Sequence, residues 1–341
     1  TKRDQKQPSS MDLYLFHSDE FQRLYSCDYL NQTQWESYAV KRPILGSVCL
    51  MLGVIYTASY LPCVIVMRRN SFYKLSCYKI MFYLGVIDLV CIWVNCFTTG
   101  FLMIHGSVYC MFPNLQYIAG AIAIGGWSGQ CMSCVFLALN RCIDFWSPYW
   151  AEILYEGKRT YIWIGLAWLY MLYFFFYTKA VVLTSATIMW FFDPYLTIPQ
   201  DVVPVNREEY RNWAHSYNDY TLVTVMFVLY TVLIASVRIK SKGEGAMRKT
   251  QMKILLQALM ICVLNLAPSL LFAISQFLPT PPAFVFLCVL TWQAGNGGAG
   301  LILLAFNKTL REKVVALILH RNSRIRSVTA TMGASASQHV I

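Results

Sequence analysis

The chain has 341 residues, 57% of them hydrophobic and only 13% charged, with a formal net charge of +11. Soluble domains carry about 25% charged residues, so two globular surfaces cannot be coated here. The apolar content and ordinary Gly and Pro numbers also exclude disordered, collagen-like and small disulfide-scaffold chains. An integral membrane protein remains, and the meaning of the +11 depends on where the charges lie.

A helix that crosses about 30 Å of hydrocarbon needs roughly 20 mostly apolar residues. Ile44–Met67 is the first such run and has no formal charge. Tyr78–Ile104 is the second, broken by Lys79 and Asp88. Leu115–Leu139 is the third, and Tyr161–Ser185 the fourth, interrupted by Lys179. Tyr220–Val237, Ile254–Leu278 and Pro282–Phe306 complete the set. These runs are too long for barrel strands of about 10 residues, and none alternates. The fold class is all-α: a polytopic membrane protein, a bundle of seven transmembrane helices.

Seven spans put the ends on opposite sides. Residues 68–77 with Lys79, 140–160, 238–253 and 307–341 carry 19 Lys/Arg and 5 Asp/Glu. The other connecting set, residues 1–43, 105–114, 186–219 and 279–281, carries 8 Lys/Arg and 11 Asp/Glu. The basic set belongs in the cytoplasm, which predicts the N-terminus outside and makes +11 a topology signal rather than a nucleic-acid footprint. Residues 1–43 then form an extracellular segment, 44–306 the bundle, and 307–341 a cytoplasmic region. Residues 1–43 hold 12 formal charges and no apolar signal-peptide core, and they begin at Thr1. Asn31-Gln32-Thr33 is a glycosylation sequon on the outer side. Asn307-Lys308-Thr309 is a second, on the inner side. Of 12 cysteines only Cys27 and Cys110 fall in outer segments, which predicts a disulfide tying the N-terminal segment to the top of the third helix, two free thiols being the alternative. The rest read as small apolar residues.

Asp88, in Leu84-Gly85-Val86-Ile87-Asp88, must face the bundle to be tolerated at mid-bilayer. It is either a cation or water-network site or a protonated carboxyl hydrogen-bonded between helices. Arg141, after Asn140 and three residues before Asp144, sits at the inner mouth of the third span. It reads either as a group that changes partner between two states or as a snorkelling interface arginine. Lys179 lines a pocket or snorkels to the outer interface. Pro268 and Pro62 each remove a helix hydrogen bond and predict a kink. Gly295-Asn296-Gly297-Gly298-Ala299-Gly300 lets a neighbouring helix approach closely, or marks a broken helix of the transporter kind. The basic stretch Arg238–Lys253 suits an acidic protein surface or anionic lipid. Residues 308–319 mix charged and apolar residues at helical spacing, as an amphipathic helix on the inner membrane face does. The Ser/Thr-rich tail beyond His320 reads as disordered. His17, His105, His215, His320 and His339 all lie outside the predicted spans, and no catalytic motif, metal site or cofactor site is legible.

Trp35 with Arg42-Pro43-Ile44-Leu45-Gly46, Cys77-Tyr78-Lys79-Ile80-Met81 leading to Asp88, Leu137-Ala138-Leu139-Asn140-Arg141-Cys142, and Leu303-Leu304-Ala305-Phe306-Asn307-Lys308 recur in a fixed order. In these the chain resembles the nematode serpentine receptor class T (Srt) chemoreceptors, seven-helix receptors of the G-protein-coupled type, over roughly residues 25–320. The resemblance implies a receptor for a small chemical ligand that acts through a heterotrimeric G protein in the plasma membrane, in sensory cilia by family likeness. It implies switch roles for Asp88, Arg141 with Asn140, and Pro268. Departures are Asn140 in place of an acid, a fifth span without proline, Leu266 where tryptophan is common, and a seventh span without Asn-Pro-x-x-Tyr. Depth alone selects Tyr117, Thr224, Phe272, Gln276, Phe286 and Gln293 as ligand contacts. An odorant-gated cation channel of inverted topology is opposed by the loop charges. A secondary transporter needs the broken seventh helix.

Overall fold

The computed structural model describes residues 10–240, 246–275 and 281–319. Residues 241–245 of the basic stretch, Gln276, and the tail from His320 lie outside the described residues. Seven long helices form a membrane-spanning bundle: Pro43–Met67, Ser76–His105, Pro113–Trp146, Thr160–Tyr177, Trp213–Lys240, Ala246–Ser275 and Pro282–Phe306. They are called the first to seventh helices below. Pro43, Pro113 and Pro282 open their helices, where the missing N–H costs no intrahelical bond. Asn212 Oδ1 accepts the His215 backbone N–H at 3.0 Å and caps the fifth.

The first and seventh helices begin and end within a residue of the apolar runs that predicted them. The fourth and fifth do not. The fourth helix stops at Tyr177 rather than Ser185. Beyond it the β-branched run through Val181 and Val182 enters strand β1 (Val182–Thr184), paired antiparallel with β2 (Met189–Phe191). Val and Thr side chains fit a pleated strand better than a crowded helix turn, so Lys179 lies in the loop and not in a span. The fifth helix starts seven residues earlier than its apolar run, at Trp213. His215 and Asp219 are therefore helical residues, which corrects the placement of every histidine outside the spans. The second helix widens into a π-turn at Trp93–Thr98. Pro62 and Pro268 lie within continuous helices. The seventh helix is unbroken through its glycine run, against the local break a transporter site requires.

The glycine run works by close approach. A Cβ on Gly297 would strike the Tyr56 ring, and one on Gly300 would strike Tyr60 of the first helix. Gly46 and Gly100 bring the first and second helices together in the same way. In a bilayer such backbone proximity supplies the dispersion that water exclusion cannot. Ile162, Leu169 and Phe227 point outward at 64–70% exposure and form part of the lipid-facing surface. The third helix is the axis, buried along most of its length.

One end of the bundle carries a lid built from the N-terminal segment and the β1–β2 loop. Short helices Ser10–Phe16, Ser18–Tyr25 and Gln32–Ser37 lie across it. Cys27 and Cys110 are joined by a disulfide, tying this segment to the start of the third helix. Tyr14, Phe21 and Tyr25 pack their rings on Tyr117 at 4.9–5.5 Å. Tyr195 Oη donates to Ser26 O at 2.6 Å and Tyr210 Oη to Leu24 O at 2.6 Å. Gln116 hooks the hairpin to the third helix: its Oε1 accepts Leu183 N–H at 2.7 Å, and its Nε2 donates to Ser107 Oγ at 2.7 Å. Gly120 lies directly under Val181, whose carbonyl leaves no room for a Cβ.

At the opposite end, residues 308–319 form a further helix. Asn307 Oδ1 caps it by accepting Leu310 N–H at 3.0 Å. Leu310 and Val314 are buried against the bundle, while Lys308 and Glu312 face away, the amphipathic division its sequence predicts. Arg311 donates to the carbonyls of Leu304 and Ala305 at 2.8 and 2.9 Å, satisfying the end of the seventh helix.

Candidate functional site

Beneath the lid is a cavity of about 780 Å3, within the 300–1,000 Å3 range of small-molecule sites. Its helical wall comes from the third (Ala123, Ile124, Trp127), fifth (His215, Ser216, Asp219, Tyr220), sixth (Phe272) and seventh helices (Trp292). Its roof comes from β2 and the loop that follows, including Trp190, Phe192, Asp193, Arg207 and Tyr210. Asp219 is buried and its Oδ1 accepts Trp127 Nε1–H at 2.9 Å and Asn218 Nδ2–H at 3.1 Å. Its Oδ2 lies 3.4 Å from His215 Nδ1. In the roof, Arg207 pairs with Asp193 at 3.0 Å and donates to Ile198 O at 2.8 Å. Burial pushes the Asp193 carboxyl above the usual range, against the pull of the Tyr195 N–H and Arg207. Lys179 donates from Nζ to the carbonyls of Glu209 and Arg211. Burial lowers its pKa, partly offset by Glu209. It thus braces the loop rather than lining the cavity or snorkelling to an interface.

The depth-selected ligand residues divide sharply. Phe272 lines the cavity. Tyr117 is fully buried, but under the N-terminal segment. Thr224 faces outward and its hydroxyl donates to Tyr220 O at 2.9 Å. Phe286 is half-buried away from the cavity wall. Gln293 is buried and donates to Asn95 O at 2.7 Å, bridging the seventh and second helices. Gln276 lies outside the described residues. The same four helices line the cavity, but of the selected residues that are described only Phe272 reaches it. Trp292 stands one residue from Gln293, about 100° around a helix, and Asp219 stands five residues before Thr224, about 140° around.

Below the cavity, a polar chain occupies the bundle core. Asp88, fully buried, accepts Tyr60 Oη–H at 2.8 Å and Gln130 Nε2–H at 2.8 Å. The Gln130 amide also donates to Asn296 Oδ1, and Asn296 Nδ2 donates to Trp292 O at 2.8 Å. Trp292 therefore belongs to both the cavity wall and this network. The first, second, third and seventh helices meet here, which the sequence indicated only through Asp88. Pro268 lies on the sixth helix with its ring 3.7 Å from a Cβ built at Gly295.

Towards the opposite end, Arg141 donates to Asn140 Oδ1 at 3.1 Å and pairs with Asp144 at 3.2 Å. Asn140 Nδ2 in turn donates to Ser76 Oγ at 3.1 Å. Asn140 thus holds both the arginine and the second helix. Nearby, Asn307 Nδ2 donates to Tyr78 Oη at 2.7 Å and Gln257 Oε1 at 3.3 Å, joining the seventh, second and sixth helices. No cluster of three or more metal-ligating His, Cys, Asp or Glu residues occurs among the described residues. Asn31 is exposed on the lid and its Oδ1 caps Gln32–Ser37 through Gln34 N–H at 2.9 Å.

A multi-pass bundle of seven helices, roofed at one end and closed by a polar network, defines a serpentine membrane protein. Squid rhodopsin shares this fold: its crystal structure superposes with a TM-score of 0.60 over 83% of this chain and 88% of that one, at 16% identity. Residues 9–327 match the profile of the family described as serpentine type 7TM GPCR chemoreceptor Srt, and the chain belongs to that family. It is also 24% identical over 299 residues to serpentine receptor class T-55 of Caenorhabditis elegans, covering 86% of this chain and 80% of the relative.

Proposed function

We propose that this chain is a plasma-membrane chemosensory receptor that binds a small-molecule ligand in the lidded cavity and activates a heterotrimeric G protein at the opposite end. The observation that carries the reading is the cavity itself. Its walls come from the third, fifth, sixth and seventh helices, and the third and seventh also meet in the Asp88 network, so a ligand that fits one arrangement of Trp127, Phe272 and Trp292 better than another shifts the balance between arrangements. Family membership supports a chemosensory role. The charge division of the loops supports a lid facing outside and Arg141 facing the cytoplasm. In this reading residues 1–43 are extracellular, with Asn31 open to glycosylation, 44–306 form the bundle, and 307–341 lie in the cytoplasm, where residues 308–319 rest against membrane lipid. Sensory cilia are the natural site for such a receptor.

Activation requires the inner ends to separate. Arg141 is held in this structure by Asn140 and Asp144 on its own helix. In this reading an outward swing of the sixth helix about Pro268 opens the inner end of the bundle, where Arg141 and the basic stretch 238–253 meet the acidic face of a partner, while Asp88 reports the change through Tyr60, Gln130 and Asn296.

The test is nucleotide exchange on a heterotrimeric G protein in membranes carrying the chain, driven by a panel of volatile and water-soluble odorants. An activating compound is expected to act on wild type and to lose at least nine-tenths of its effect on Arg141→Ala at equal surface expression. An undiminished response from Arg141→Ala removes the arginine from the mechanism, and silence from wild type across the panel counts against G-protein coupling.

A further inference from the structure

The charges around the cavity do not balance evenly. Arg207 is committed to Asp193 and the Ile198 carbonyl. Arg211 pairs with Glu208 at 2.9 Å on the exposed rim. Among the described residues, Asp219 is the cavity acid left without a Lys or Arg partner. It lies at the inner wall, 3% exposed at its side chain. Its Oδ1 is filled by Trp127 and Asn218, whereas Oδ2 faces only the His215 ring at 3.4 Å, longer than a strong N–H···O bond. A carboxylate oxygen accepts more than one donor, so Oδ2 keeps capacity toward the cavity.

An anionic ligand would find both guanidinium groups already paired and would meet Asp219 at close range. A neutral ligand would leave the buried carboxylate with no Lys or Arg partner, only the His215 ring beside Oδ2. The walls favour positive charge further, because Trp127, Trp190, Phe192, Phe272 and Trp292 present aromatic surface around the same space, and ring faces attract cations. Resting on the reading of this cavity as the ligand site, we infer that it selects small protonated amines with an apolar body, the ammonium group on Asp219 Oδ2 and the body among the aromatic rings.

The experiment uses the full chain purified into nanodiscs and follows quenching of its tryptophan fluorescence, a readout independent of any G protein. Phenethylamine and cyclohexylamine, both protonated at pH 7, are titrated against phenethyl alcohol and cyclohexanol, their neutral counterparts of similar shape. The amines are expected to saturate at midpoints at least tenfold below the alcohols, and Asp219→Asn is expected to raise the amine midpoints at least tenfold while leaving the alcohols unchanged. Equal midpoints for amines and alcohols on wild type overturn the cation selectivity while leaving the cavity a ligand site, and need no variant. Amine midpoints unchanged in a folded Asp219→Asn protein overturn it as well. If neither class saturates, the inference and the cavity reading fall together.

Discussion

Asp88→Ala is expected to lower the stability of the detergent-solubilised protein by about 3 kcal/mol and to abolish signalling. Asp88 has no exposure, and both carboxyl oxygens accept hydrogen bonds across helix boundaries, from Tyr60 of the first helix and Gln130 of the third. Alanine removes both acceptors at once. Each buried donor left unpaired costs about 1–3 kcal/mol. The loss spreads, because the Gln130 amide also holds Asn296, next to a close contact in which Gly297 meets the Tyr56 ring and Gly300 the Tyr60 backbone. Asp88→Asn keeps one oxygen acceptor and is expected to lose only about 1 kcal/mol. Thermal unfolding followed by cysteine-reactive dye checks the order, since ten free cysteines are buried among the described residues. Equal midpoints for wild type and Asp88→Ala would show that the network carries no structural weight.

Loss of the Cys27–Cys110 bond is the second large effect. The bond closes a separation of 83 residues, and constraining a loop of that length in the unfolded chain is worth about 2–4 kcal/mol. Cys27→Ser, Cys110→Ser and the double variant are expected to lose the same amount, because each removes the same bond. A reductant is expected to lower the midpoint of wild type and to leave the variants unchanged. The secondary consequence is local: the lid keeps the Tyr195 and Tyr210 hydrogen bonds and the Arg23–Glu209 pair at 2.8 Å, so loosening should begin between Cys27 and Trp35. Additive losses from the two single variants would mean that the cysteines act separately.

Much of the bundle was readable from runs of uncharged residues, because hydrocarbon thickness imposes a length on them. What apolarity could not reveal was the local geometry at the lid end. Residues 178–185 are apolar enough to extend the fourth helix, yet the Leu183 N–H bond to Gln116 Oε1 and the contact of Val181 with Gly120 make them a roof. Trp213–Asp219 is polar enough to read as loop, yet Asn212 caps it and Trp127 receives Asp219. That reading counted Asp219 among outer-loop charges and hid the principal acid of the cavity. The candidate site suffered from a similar blindness: depth in the membrane follows from sequence position, whereas rotation of a helix follows from its neighbours. Gln293 and Thr224 were at suitable depths but turned to Asn95 and to the outer surface. Asp88 and Arg141 were legible because a charge within or beside a span has few tolerable positions. Their partners Tyr60, Gln130 and Asn296 carried no such mark. The short helices of the N-terminal segment and their tyrosine contacts carried no such mark either, and in residues 10–37 Cys27 alone, through its pairing with Cys110, pointed to the start of the third helix.

The account turns on which end of the bundle meets the outside. Placing an epitope tag at each terminus of the full chain and probing intact cells with antibody before and after permeabilisation tests this directly. The expected result is an N-terminal tag stained on intact cells and a C-terminal tag stained only after permeabilisation, with the lid and cavity outside and Arg141 in the cytoplasm. A C-terminal tag exposed on intact cells and a hidden N-terminal tag would contradict the receptor reading, turning the cavity away from external ligands and Arg141 away from any G protein.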